Sequence, residues 1–153
     1  MKPSRLPKLR GIALALLGFA GGAAAQERVD LPSPFPFEAT MQRLEAGLRA
    51  AGMTIFTRID HQAAANQVAL AMPPTQVLVY GNPRGGTPLM LQHPALALDL
   101  PLRVLVREDG EHRVWVSYHP AKDWAARQGL SAKQVQALGK GEAVIGQALS
   151  ARP

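Results

Sequence analysis

One stretch constrains this chain more than any other. It runs Tyr80-Gly81-Asn82-Pro83-Arg84-Gly85-Gly86-Thr87-Pro88-Leu89-Met90 and on to Asp99-Leu100-Pro101-Leu102-Arg103. Within it a strand must end, the backbone must turn, a helix must start and a second strand must begin. Glycine stands where backbone angles are unusual, and proline where φ is fixed. Gln76 to Tyr80 carries bulk on both faces, which predicts a strand inside a sheet. Thr87 reads as a helix N-cap with Pro88 at the first helical position. That helix would run to Gln92, pause at Pro94 and resume through Ala95 to Leu98.

The flanking segments supply the other elements. Leu31-Pro32-Ser33-Pro34-Phe35-Pro36 is an extended lead-in, with a short edge strand expected near Glu27 to Leu31. Phe37, Met41, Leu44, Leu48 and Ala51 recur at helical spacing, and Gly52 marks the stop. Met53 to Asp60 is β-branched and aromatic, hence a strand. Gln62 to Gln67 suits a short helix. Pro101–Arg107 and Glu111–Tyr118 form a hairpin. A three-residue Glu108-Asp109-Gly110 turn sets Val104 against Val114 and Leu102 against Val116. It leaves Arg103, Arg107, Glu111 and Trp115 on the other face, with Gly110 in the left-handed position. Pro120 to Arg127 reads as a helix stopped by Gly129. Ser131 caps one last helix through Val135, Leu138, Ile145 and Leu149, weakened by Gly139, Gly141 and Gly146. The expectation is α+β: one compact domain with a mostly antiparallel sheet of 4–5 strands and helices on one face.

The N-terminus has a different character. Lys2, Arg5, Lys8 and Arg10 precede an apolar run from Gly11 to Ala20, and Ala23-Ala24-Ala25 follows. That order is a secretory signal peptide over residues 1–25, with a run too short to span a bilayer. The domain is then 26–153 and its expected location is the periplasm. Losing those four cations takes 17 Lys+Arg to 13 against 11 Asp+Glu, a net of +2. A nearly neutral body without a basic, aromatic stripe argues against nucleic acid as partner. With no cysteine, disulfides, lipid attachment through cysteine, thiolate zinc sites and cysteine nucleophiles are excluded.

Few residues point to chemistry. Asp60-His61 at a strand end offers either a general base oriented by a carboxylate or a helix cap beside an exposed histidine. Of His61, His93, His112 and His119, none has a helical i,i+4 partner, so no metal site is assigned. Gly81 to Thr87 before a helix invites a phosphate-loop reading, but no Gly-Lys-Ser/Thr ending follows. Arg84 remains available to an anion. No nucleophile elbow or paired-carboxylate spacing is present. Catalytic residues and cofactor stay unknown.

Several motifs together resemble a known family. They are Ile59-Asp60-His61, Pro73-Pro74-Thr75, Gly81-Asn82-Pro83 with Gly86-Thr87-Pro88-Leu89-Met90, Leu98 to Arg103, and Val114-Trp115-Val116-Ser117-Tyr118. The chain from about Phe37 to Leu149 is similar to domain-of-unknown-function family 302. The resemblance implies a small α+β bacterial or archaeal domain and supplies no catalytic residues. The chain departs from the family pattern at Asn66 to Leu70, where a glycine-ended helix is expected, and at Tyr80, where phenylalanine is common.

Three functions follow as expectations. The first is an exported module binding a small molecule or protein through Asp60, His61, Asn82, Arg84 and Thr87. The second is an enzyme using Asp60-His61 as acid/base or metal site. The third is a homo-oligomer, such as a homodimer pairing through the Trp115/Arg103 face. The first requires the Thr87 end of the loop to lie near Asp60-His61.

Overall fold

The computed structural model of the chain describes residues 28–150, and the expected signal peptide lies outside them. Five strands form one antiparallel sheet: β1 Val29–Pro32, β2 Thr54–Asp60, β3 Thr75–Gly81, β4 Leu102–Glu108 and β5 Val114–Tyr118. Their spatial order is β1-β5-β4-β3-β2, so β3 is interior as its two-sided bulk requires. Pro32 closes β1 at one edge. At the other, β2 has a bulge between Ile55 and Thr57 that leaves Phe56 outside the pairing and half-exposed.

Helix α1, Phe37–Ala50, follows β1. Its predicted stripe is the core: Met41, Leu44 and Leu48 are fully buried. The helix ends as Gly52 allows. At φ +76° that glycine donates to Arg49 O at 2.9 Å, and Met53 N reaches Leu48 O at 3.0 Å. This paired left-handed ending satisfies two carbonyls that the helix leaves free. Against α1 packs α6, Lys140–Ser150, through Ile145 and Leu149. Both helices cover the sheet face that carries Leu78, Tyr80, Val104, Val106, Val114 and Val116. A side chain at Gly141 would lie 2.6 Å from the Tyr80 ring, so helix and sheet touch there through bare backbone.

A second, smaller cluster has Leu96, Ala121, Trp124, Ala125 and Leu130 at its centre. It is built from α3 Pro83–Gln92, the 3-10 turn Pro94–Leu98, α4 Ala121–Ala125 and α5 Ala132–Leu138. The remaining helix, α2 His61–Gln67, links β2 to β3.

Three local expectations are corrected. First, Asn82, not Thr87, caps α3: Asn82 Oδ1 accepts from Arg84 N at 2.9 Å, Pro83 opens the helix and Pro88 lies inside it. Asn82-Pro83 and Thr87-Pro88 carry the same cap-then-proline signature, and the first one wins. Second, the last helix is two. Ser131 caps α5 through a reciprocal pair with Gln134, but Gly139 ends it and α6 starts afresh at Lys140. The break lets Val135 and Leu138 serve the small cluster while Ile145 and Leu149 serve the large one.

Third, the hairpin pairs Val106 with Val116 and Glu108 with Val114, leaving a longer turn over 109–113. The left-handed residue is His112 at φ +60°, not Gly110. Asp109 organises that turn. Its carboxylate accepts from Glu111 N at 2.9 Å, Arg113 N at 3.0 Å, Arg113 Nε at 2.9 Å and Trp115 Nε1 at 2.8 Å. The displacement from the expected register is an even number of residues. Every side chain therefore kept its face: valines inward, Arg103, Arg107 and Trp115 outward.

Candidate functional site

The five residues expected to share a site do not converge. In the antiparallel β2–β3 pair, Asp60 faces Gln76 while Thr54 faces Gly81. The Asp60-His61 end and the Asn82 end are therefore separated by five residues of β3, roughly 17 Å at ~3.3 Å per residue. Neighbouring strands alone did not bring the two motifs together, because antiparallel pairing sends their ends apart.

At the first end, Asp60 Oδ1 caps α2 by accepting from Ala63 N at 2.9 Å, and Oδ2 accepts from Gln76 Nε2 at 2.9 Å. Gln76 Oε1 accepts from Arg58 Nε, and Arg58 reaches Glu38 at 3.1 Å. Both Asp60 oxygens are thus committed to local structure. His61 is exposed and has no hydrogen bond or ion pair among the described residues. Among those residues no group of three His, Asp or Glu side chains is placed to hold a metal.

At the second end, Asn82, Arg84 and Thr87 lie together on α3, all exposed. Asn82 also borders a cleft of about 130 Å³. The cleft is almost wholly apolar. β2 contributes Phe56 and Met53 just before it, α3 contributes Gly86, Leu89 and Met90, the β4 approach contributes Leu100, Pro101 and Leu102, and α5 contributes Leu138. Gly81, Gly85 and Gly86 form part of the wall as bare backbone. A side chain at Gly86 would point to Leu100, 3.9 Å away. The glycines of the opening stretch therefore line a hydrophobic recess instead of cradling a phosphate. Met53, Phe56 and Leu138 had no signal in sequence that tied them to this stretch, since only the sheet and the α5 packing bring them there.

Two tyrosines near the α6 start are shifted. Burial pushes the Tyr80 hydroxyl far above its ordinary value, with Glu142 adding to it, and the same causes raise Tyr118. Both phenols stay protonated across physiological pH. Asp109 is held well below the usual carboxylate range, first by the Trp115 indole N–H and then by Arg113 and Glu111.

Comparison with known proteins decides the family. The model for "Domain of unknown function DUF302" matches residues 29–148. The chain belongs to this family. The fold of this DUF302 chain is similar to the crystal structure of an uncharacterised conserved DUF302 protein from Bacillus stearothermophilus. The TM-score is 0.66 at 14% identity, over 80% of this chain and 94% of that one. At that identity the likeness concerns the fold alone. In sequence, 91 residues are 41% identical to part of the "Fluoride-specific ion channel FluC 1" of Brucella suis, covering 60% of this chain and 36% of that protein. The protein of the same description from Brucella abortus matches at 41% over 91 residues, 34% of its length. The DUF302 chain thus spans about a third of the curated relatives it matches.

Proposed function

We propose that this DUF302 domain is an exported binding module of the bacterial envelope, and that its cleft takes a compact apolar group from a small ligand or a partner. The apolar cleft of about 130 Å³ beside Asn82 carries this reading. Its volume is comparable to the ~150 Å³ apolar cavities that hold a benzene ring. One polar residue, Asn82, at the border of an otherwise hydrophobic wall is the usual composition of a small-molecule site. Export is supported by the basic, apolar and small-residue order of residues 1–25. Among the described residues no helix is long and apolar enough to cross a membrane. The Brucella relatives, named for fluoride channels, hold a similar segment over a third of their length. That favours a module working beside a membrane protein.

The test is an NMR titration with toluene as a neutral probe. Toluene should shift the methyls of Met53, Met90 and Leu138 saturably, and Gly86→Leu should abolish the shifts while the fold persists. Unchanged methyls in the parent protein would sink the assignment. N-terminal sequencing of the protein recovered from the periplasm should begin near Gln26, and a start at Met1 overturns export by cleavage.

A further inference from the structure

The sheet face opposite α1 and α6 carries a second recess of about 390 Å³. Its origin is a register coincidence. β1 pairs Val29 with Tyr118, β5 pairs Ser117 with Leu105, and β3 pairs Val79 with Arg103. Continuing these ladders to the strand ends puts Arg28, His119 and Arg103 in one row across three strands. All three line the recess. The next row down is Ser117, Leu105 and Val77, and Trp124 with Leu102 closes the side.

The row has an uneven charge balance. Arg28 is held by Asp30 at 2.8 Å, and Asp30 is also the acceptor for Ser117 Oγ. Asp99, the carboxylate lining the recess, accepts from Gln128 Nε2 at 3.1 Å. Arg103 is exposed and makes no hydrogen bond or ion pair among the described residues. A guanidinium offers a planar fork that matches a carboxylate. Below it lie the aliphatic side chains of Val77 and Leu105, and Trp124 is almost fully buried at 6% exposure. A bare anion would satisfy the fork and leave that apolar floor wet. A neutral apolar molecule would cover the floor and leave the fork unpaired.

We propose that this recess binds a small carboxylate with a flat apolar body, its head paired to Arg103 and its body on Val77, Leu105 and Trp124. The recess shares Leu102 and no other lining residue with the cleft beside Asn82, and the two readings fail separately. Benzoate, toluene and inorganic phosphate, titrated into the ¹⁵N-labelled full chain, separate them. Benzoate should shift the Leu105, Ser117 and Trp124 amides saturably. Arg103→Gln, on an exposed position, should weaken benzoate about tenfold, the loss of one charge-assisted pair. Toluene should leave these amides still, whatever it does at Met53 and Leu138. The proposal is overturned if Arg103→Gln binds benzoate within twofold of the parent. It is equally overturned if toluene shifts the same amides as strongly, if benzoate goes to the cleft instead, or if phosphate binds the row and benzoate does not displace it.

Discussion

The two faces of the single sheet are made by alternate residues of the same strands, and they are built to opposite rules. On the covered face, Leu78, Val104, Val106 and Val116 meet Met41, Leu44, Leu48 and Ile145, and all eight are fully buried. On the other, Val77, Val79 and Leu105 are only partly buried and share the surface with Arg103, Arg107 and Trp115. Arg107 and Arg113 sit over the Trp115 ring at 5.8 and 5.9 Å. The guanidinium contacts and the indole–Asp109 bond give a large aromatic a settled place without helical cover. Trp115, which lies on the face expected to pair in a homodimer, is bonded within its own hairpin. A period of two in sequence thus separates a fully buried face from a partly open one that carries arginines and an indole.

The strongest challenge to this contrast is a matched pair of truncations. Leu78→Ala should cost about 2–5 kcal/mol in urea unfolding, as fully buried leucines do. Val77→Ala, its neighbour on the open face, should cost less than about 1 kcal/mol. Equal losses would mean that the open face is as structural as the covered one. Next in size is Gly141→Ala. The added methyl meets a Tyr80 ring that is itself 1% exposed and has nowhere to retreat. Overpacking of this kind costs about 1–3 kcal/mol, and calorimetry should show the loss partly relieved in a Gly141→Ala/Tyr80→Leu double variant. Gly146, in the same helix, has nothing within 4 Å of the methyl it lacks. Gly146→Ala should therefore stabilise by up to ~1 kcal/mol through helix propensity alone.

The smallest effect concerns the hairpin tip. Asp109 has its folded pKa below the ordinary 3.8. Its contribution is fully present above 3.8 and is lost as pH falls from there toward the folded value. The stability gap between the parent and Asp109→Asn should be flat near neutrality and shrink below pH 3.8, followed by Trp115 fluorescence. A gap that widens on acidification contradicts the hub.

Much of the fold was legible because it rests on local periodicity. The Met41-Leu44-Leu48 stripe, the Gly52 stop and the interior character of β3 all depend on neighbours in sequence. The hairpin shows where that legibility ends. Its faces were readable from alternation, but its register depended on Asp109 collecting a donor from Trp115, six residues away. No turn rule contains that bond. The site was less legible still. Asp60-His61 and Gly81 to Thr87 each had recognisable chemistry, yet whether they met depended on strand direction. The cleft walls from Met53 and Phe56 at the start of β2 and from Leu138 in α5 are far apart in sequence, and their convergence is a property of packing alone.

The ends of the sheet bear on how the protein behaves when crowded. An open strand edge is a template on which another chain can lay a strand of its own. Here Pro32 removes a donor from one edge, and the bulge at Phe56 interrupts the ladder on the other. Copies concentrated side by side therefore meet edges that are poor starting points for fibrous growth, and a protein without disulfides keeps its sheet to five strands.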